Sequence, residues 1–252
     1  MIIATGLSRR LSVGGALLLA LVFALRWVHW GRLPLTTLMD VLDLIVVLST
    51  IVMLAVYRDE SAQALQCFFA PPLALLAAIS GCVAPGYLYA EPRSLQGVYL
   101  AVHVGLAFLA YSMFLAASLT SAGYIFKAQQ LKSRRPTRLF SQLPALEQLD
   151  QKLFFLIRTG YPMFAITLFI GLLWAWHERD LLGPRWWLSP KIFLSFIMAG
   201  FYSVSFHTRR FGLLRGRQLA YLVFVGFSVL LAAFLALGLF DVINYNFWGS
   251  AQ

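Results

Sequence analysis

Seven long apolar segments alternate with short polar ones along the chain. A helix needs roughly 20 apolar residues to cross the hydrocarbon core of a bilayer, and each segment approaches or exceeds that length. The fourth is long enough to project beyond the bilayer. The pattern therefore predicts an all-α, polytopic bundle of about seven transmembrane spans, near residues 9–29, 37–57, 63–83, 98–126, 153–176, 189–207 and 218–241.

Composition supports a membrane setting. Of the 252 residues, 60% are hydrophobic and only 12% are charged, which is more apolar surface than a soluble domain buries. The net charge of +10 does not indicate a nucleic-acid partner, because the cations form short runs between apolar segments instead of one exposed basic face. Residues 1–252 are expected to form a single integral membrane domain in contact with the lipid bilayer.

The positions of Lys and Arg predict the orientation, because cationic loops resist translocation. With the amino end in the cytoplasm, fourteen of the twenty cations lie inside and six outside, and the opposite orientation reverses this bias. The carboxyl end is then outside, and residues 127–152 form the one substantial cytoplasmic loop. Leu146–Leu156 is interpreted as a lead-in to the fifth span, with an amphipathic surface helix as the alternative.

All tryptophans map to the outer boundary in this orientation. Tryptophan is enriched at both membrane interfaces, so anchoring alone does not explain a one-sided distribution. Two interpretations stay open: the rings anchor the helices, or they line a ligand site that faces outward. The seven are Trp27, Trp30, Trp174, Trp176, Trp186, Trp187 and Trp248.

Two of the four histidines, His103 and His207, fall at or within predicted spans, where an ionisable ring is costly without a partner. Neutral imidazole is an axial ligand of iron in many haem proteins, so both are candidate metal ligands. An interfacial hydrogen bond is the alternative role for each. His207 is expected to lie nearer the low-dielectric interior than His29, so replacing it should remove more of any bound haem.

Asp40 and Asp43 lie three residues apart near the outer end of the second span, on one helical face. Their burial calls for a cationic or hydroxyl partner, and Arg26 and Arg32 are the nearest candidates. A structural ion pair is the favoured interpretation, and a role in ion or small-molecule transport is the alternative.

Several motifs resemble those of the cytochrome c assembly family that includes CcsA, ResC and the shorter HemX-like proteins. Residues 103–112 resemble the family's HV...LxY helix, residues 143–149 its LPxLExL linker, residues 171–175 its GxxWA segment and residues 205–209 its LHTR sequence. Upstream, residues 34–43 resemble a PxxxxxE stretch. The resemblance is good over roughly 97–240.

The full haem-handling members of that family carry a WGxYWxWDPKE-type motif in an outer loop. This chain keeps three positions of the motif, namely Trp186, Pro190 and Lys191. It departs at Leu188, where a Trp is expected, and at Ser189, where the Asp is expected. The outer loop has therefore lost its carboxylate.

The resemblance also implies roles for the histidines. His103 falls on the first of two outward histidines that hold haem in the full members, and His207 falls on a further histidine within the membrane. The second outward histidine is absent, and Asn244 or Tyr245 occupies its region. Ligation by two outer histidines cannot form, so the resemblance implies an assembly role more strongly than catalysis, and no catalytic residue is assigned.

The leading hypothesis is an accessory protein of cytochrome c or haem maturation in the bacterial cytoplasmic membrane. It would bind haem b through His103 or His207 against Trp174, Trp186 and Trp187, and work with other membrane proteins of the assembly machinery. One alternative is a haem-free scaffold or regulator of a membrane complex or tetrapyrrole pathway. The other is the transporter suggested by the two aspartates.

Overall fold

The protein is helical throughout the part of the chain that the computed structural model describes. Seven α-helices and one short 3-10 helix form its regular structure there, which confirms the predicted fold class. They are α1 (Ile2–Trp30), α2 (Leu38–Val56), α3 (Gln66–Cys82), α4 (Val98–Ser133), α5 (Leu146–His177), the 3-10 helix (Trp186–Leu188), α6 (Pro190–Arg210) and α7 (Arg217–Leu239). The described residues are 2–31, 38–58, 65–82, 98–133, 143–177, 179, 186–188 and 190–239.

Five of these helices, α1, α2, α4, α5 and α7, are long and apolar enough to cross a membrane. By contrast, α3 has 17 residues, or about 26 Å of helix, and Pro71 and Pro72 lie within it. The 21 residues of α6 mix serine, histidine and arginine with apolar residues. The chain is thus a polytopic membrane protein, whereas the count of seven spans stays a prediction.

The central helix is α4, which packs against α2, α5 and α7. Its interior face is rich in small side chains, and Gly160 of α5 lies against it so closely that an added Cβ would sit 3.0 Å from the Phe114 ring. Buried hydroxyls on α4 are satisfied within the helix, since Ser112 and Ser121 donate to the Phe108 and Ala117 carbonyls at 2.8 Å. Small residues and self-satisfied hydroxyls let membrane helices approach closely.

At the periphery, α1 packs only against α2 and α3 among the described elements in extensive contact. Its long apolar side chains, such as Leu17 and Leu21, are exposed, as expected of a helix that faces lipid over most of its surface. What fixes α1 to the bundle is therefore a small number of contacts.

Much of the segment predicted as a cytoplasmic loop, 127–152, is helical. Ser133 ends α4, and α5 begins at Leu146 and continues without a break to His177, which is the lead-in arrangement and not a separate surface helix. Lys127 of α4 donates to the carbonyl oxygens of Leu143 and Pro144 at 2.6 and 2.7 Å. This contact ties the segment before α5 to the side of α4.

Candidate functional site

A cavity of about 270 Å³ lies between the helices of the bundle and is lined by residues of every helix from α2 to α7. Nearly all of its lining is aliphatic or aromatic. The lining includes His103 near the start of α4, Trp174 near the end of α5 and Ile192 near the start of α6. These three residues lie toward the end of the bundle that the Lys and Arg distribution predicts to face outward. An apolar pocket with a few polar groups is the usual form of a small-molecule site.

The imidazole of His103 is the one titratable nitrogen group among the described residues that line this cavity. Its Nδ1 lies 3.0 Å from the backbone carbonyl oxygen of Thr167 on α5. Because a carbonyl oxygen only accepts hydrogen bonds, Nδ1 carries the proton and donates it. The lone pair of the neutral ring is then on Nε2, which is the arrangement that suits an imidazole for metal ligation.

Gly171 makes room for this ring. A Cβ atom at position 171 would lie 2.5 Å from Cε1 of His103 and 3.3 Å from its Nδ1. Any side chain larger than hydrogen would therefore displace the imidazole from its place between α4 and α5.

Three residues that carry hydroxyl groups also line the cavity, namely Tyr111, Thr167 and Ser195. The Thr167 hydroxyl is buried and has no hydrogen-bond partner among the described residues. The Tyr111 hydroxyl, from α4, is hydrogen-bonded to the Ser195 side chain of α6. An unpartnered hydroxyl in an apolar interior is costly unless a ligand or water meets it, so Thr167 is the polar group most suited to contact a bound molecule.

The structure does not bring His207 to this cavity. The ring is exposed near the end of α6, where its Nδ1 donates to the Ser203 carbonyl at 2.8 Å and its face approaches Tyr161 and Phe211. The side chains of His207 and His29 are both exposed on the bundle, so the expectation that His207 lies nearer the low-dielectric interior stays a prediction. His207 faces outward because the end of α6 packs on the bundle through neighbouring residues such as the buried Ser205.

The tryptophans divide into two groups. Trp174 lines the cavity, whereas Trp186 packs edge-on against Trp176 at 6.4 Å between ring centroids, and Trp187 is exposed. Arg179 lies 4.8 Å from the Trp176 ring. The predicted grouping of Trp174, Trp186 and Trp187 around one ligand is therefore not seen, although all three are near the same end of the bundle.

The remaining candidate residues lie apart from the cavity lining. Arg26 of α1 forms ion pairs with Asp40 at 3.1 Å and with Asp43 at 3.2 Å, and both carboxylates are buried. The Ser80 hydroxyl of α3 donates to Asp43 at 2.6 Å. The ion pair that the sequence favours for these aspartates is therefore present, with Arg26 as its cation. The Lys191 side chain lies outside the described residues.

Thr167 and Ser195 are not among the site residues predicted from the sequence. Gly171 and Tyr111 lie within the family-like motifs at residues 171–175 and 103–112 and have no predicted role of their own. A signal for Thr167 was present, because it lies one helical turn before Gly171 and so on the same face of α5. Ser195 carries no comparable signal, since its part in the site depends on where α6 packs.

Comparisons with known proteins agree on one family. The family of cytochrome C assembly proteins matches residues 35–242. Protein HemX of Bacillus subtilis (strain 168) is 27% identical over 139 residues, which are 55% of this chain and 49% of that protein. Protein HemX of Brevibacillus brevis is 31% identical over 110 residues, 44% of this chain and 39% of that protein. The match therefore spans half or less of these HemX proteins.

A longer match is made with the cytochrome c biogenesis protein CcsA of Prochlorococcus marinus subsp. pastoris. It is 24% identical over an alignment of 252 positions that covers 90% of this chain and 78% of that protein. Both HemX and CcsA proteins are therefore similar to this chain, and the cavity lies within the region that the family matches.

Proposed function

Because the chain belongs to the cytochrome c assembly protein family, we propose that it is an accessory membrane protein of cytochrome c maturation whose cavity binds haem at His103. We place it in the bacterial cytoplasmic membrane, with its amino end inside. Its partners in this proposal are other membrane proteins that assemble cytochromes.

The observation that carries the proposal is the setting of His103. The ring borders an apolar cavity, its Nδ1 donates to the Thr167 carbonyl, and Nε2 retains its lone pair. A hydrogen bond from the second ring nitrogen to a carbonyl is the usual outer-shell support of a metal-ligating histidine, because it orients the ring and raises its basicity.

The residues present fit a haem group in chemistry. The lining is apolar and aromatic, which suits a porphyrin face, and one imidazole suits an iron whose equatorial positions a macrocycle fills. With about 270 Å³ the cavity is near the lower end of roughly 300–1,000 Å³ for small-molecule sites, so the ring would be enclosed only in part. Bound haem b would supply the iron centre, His103 would hold it, and Trp174 and Phe108 would contact its apolar surface.

An accessory role is favoured over haem attachment. In the full members that this chain resembles, the outer loop provides a carboxylate, and a second outward histidine lies near the carboxyl end of the chain. Here Ser189 and the region of Asn244 and Tyr245 replace them. With His103 as the single protein ligand, haem would be held less tightly, and released more readily, than at a site with two histidines.

The decisive experiment is a titration of purified protein with haem in mild detergent, in which the absorbance of the Soret band measures binding. We expect the wild-type protein and His207→Ala to bind haem with similar affinity, and His103→Gly to lose at least tenfold in affinity. Added imidazole should restore binding to His103→Gly, since it fills the space of the missing side chain.

His29→Ala serves as the control for loss of an exposed histidine. Unchanged affinity in His103→Gly would contradict the assignment of the ligand. Absence of a Soret band in every protein, with normal folding, would favour the haem-free scaffold or regulator instead.

A further inference from the structure

The turn between α6 and α7, residues 211–216, displays apolar side chains in an unusual setting. Phe211 and Leu213 are each 71% exposed, although they lie in a loop and not on a lipid-facing helix. Leu214, between these residues and α7, instead packs against the core. Alternate residues of the loop therefore point outward and inward.

The loop is held in one conformation by hydrogen bonds. The Leu213 amide donates to the Thr208 carbonyl at 2.8 Å, and the Gly216 amide donates to the Asp150 carboxylate of α5 at 3.2 Å. Gly212 and Gly216 have φ values of +74° and +57°, in the left-handed region that favours glycine. The exposure of Phe211 and Leu213 is thus built into the backbone.

Positive charge surrounds these two side chains. Arg209 forms an ion pair with Asp150, so the charge of this carboxylate is already neutralised. Arg210, Arg215 and Arg217 are exposed, and none of them forms an ion pair within the described part of the chain. Arg210 at the end of α6, Arg215 in the turn and Arg217 at the start of α7 therefore bracket the two exposed apolar side chains along the chain. The Arg217 guanidinium also lies over the Tyr221 ring of α7 at 5.3 Å.

We propose that this turn is a binding site for an anionic phospholipid. Phe211 and Leu213 enter the acyl boundary, and Arg210, Arg215 and Arg217 contact the headgroup phosphate. Guanidinium groups bind phosphate in bidentate geometry, and apolar side chains beside basic ones are typical of segments at the lipid interface.

The position of the turn favours a lipid over a soluble anion or a protein. It leads directly into α7, which is long and apolar enough to span the membrane, so the loop lies at headgroup level. The general preference for cations in cytoplasmic loops explains the arginines. It does not explain the two apolar side chains, which have no use in binding a free phosphate ion.

The test is a titration of the full-length protein in detergent with phosphatidylglycerol or phosphatidylcholine. The temperature of thermal unfolding is measured at each lipid concentration. We expect phosphatidylglycerol to raise the unfolding temperature and phosphatidylcholine to have little effect. The variant R210Q/R215Q should need roughly 25-fold more phosphatidylglycerol, since each arginine near an anionic surface contributes roughly fivefold. The effect should also weaken as ionic strength rises.

The control K132Q/R158Q removes the same charge from two other exposed positions and should respond like the wild-type protein. F211S/L213S keeps the charge and should also bind phosphatidylglycerol more weakly. The proposal would be overturned if the control variant lost as much stabilisation by phosphatidylglycerol as R210Q/R215Q, or if R210Q/R215Q responded like the wild-type protein. The same stabilisation by inorganic phosphate would also overturn it.

Discussion

At the scale of single residues, the place of the His103 ring depends on two backbone features of α5. The Thr167 carbonyl accepts the Nδ1 hydrogen, although in a helix that oxygen also faces the amide four residues later. A side chain at position 171 would lie over this turn. Gly171 therefore leaves the carbonyl open to the imidazole.

Gly171→Ala should weaken haem binding by about tenfold, because the new methyl group would lie 2.5 Å from Cε1 of His103 and displace the ring. Haem titration and thermal unfolding would both be measured. Gly200→Ala is the matched control, since it also replaces a helical glycine but meets open space. Equal haem affinity in the two variants would rule out this role of Gly171.

At the scale of elements, α1 is attached by buried charge more than by apolar packing. Only 6% of the most apolar stretch of α1 is buried in the bundle. Arg26 nevertheless forms ion pairs with both Asp40 and Asp43 of α2. The family match begins at residue 35, so α1 lies before it and is joined to it through these aspartates.

Arg26→Leu should destabilise the protein by roughly 3 kcal/mol, because it leaves buried carboxylates without their cation. Thermal unfolding in detergent measures this change. Arg10→Leu, at an exposed position of the same helix, should have little effect.

Combining Arg26→Leu with Asp40→Asn and Asp43→Asn should recover much of the loss, since replacing a buried ion pair completely costs less than removing one partner. A triple variant no more stable than Arg26→Leu would argue against a tether made by charge.

At the scale of the whole molecule, the orientation in the membrane is set by loop charge. A reporter that is active only outside the cytoplasm should be active when it is fused after Ala90 or after Trp248. It should be inactive when it is fused after Arg135. The expectation rests on the fourteen inner and six outer cations. Activity of the fusion at Arg135 would end the seven-span arrangement.

The accessory role predicts a result in living cells. A bacterium that lacks its own cytochrome c synthetase, given this chain as the only replacement, should make no holocytochrome c, because Ser189 replaces the outer carboxylate and the second outward histidine is missing. Haem staining of membrane proteins is the measurement. Recovery of stained cytochrome c, with expression verified, would instead indicate haem attachment.

The helical class and the membrane setting could be predicted from the sequence, because a run of apolar residues long enough to cross a bilayer is a local property. It also selected His103 as a candidate ligand and Arg26 as a candidate partner of Asp40 and Asp43. Each choice followed from the cost of an ionisable group in an apolar medium.

Only the tertiary structure decided which face of each helix turns inward. In a bilayer the core-facing and lipid-facing sides are both apolar, so hydrophobicity gives the length of a helix but little of its rotation. That is why the exposure of His207 on the bundle could not be predicted, and why the Thr167 carbonyl and Ser195 were not identified. Rotation is set by close contacts such as Gly171 on His103 and by polar pairs such as Arg26 with Asp43, which join residues far apart in the chain.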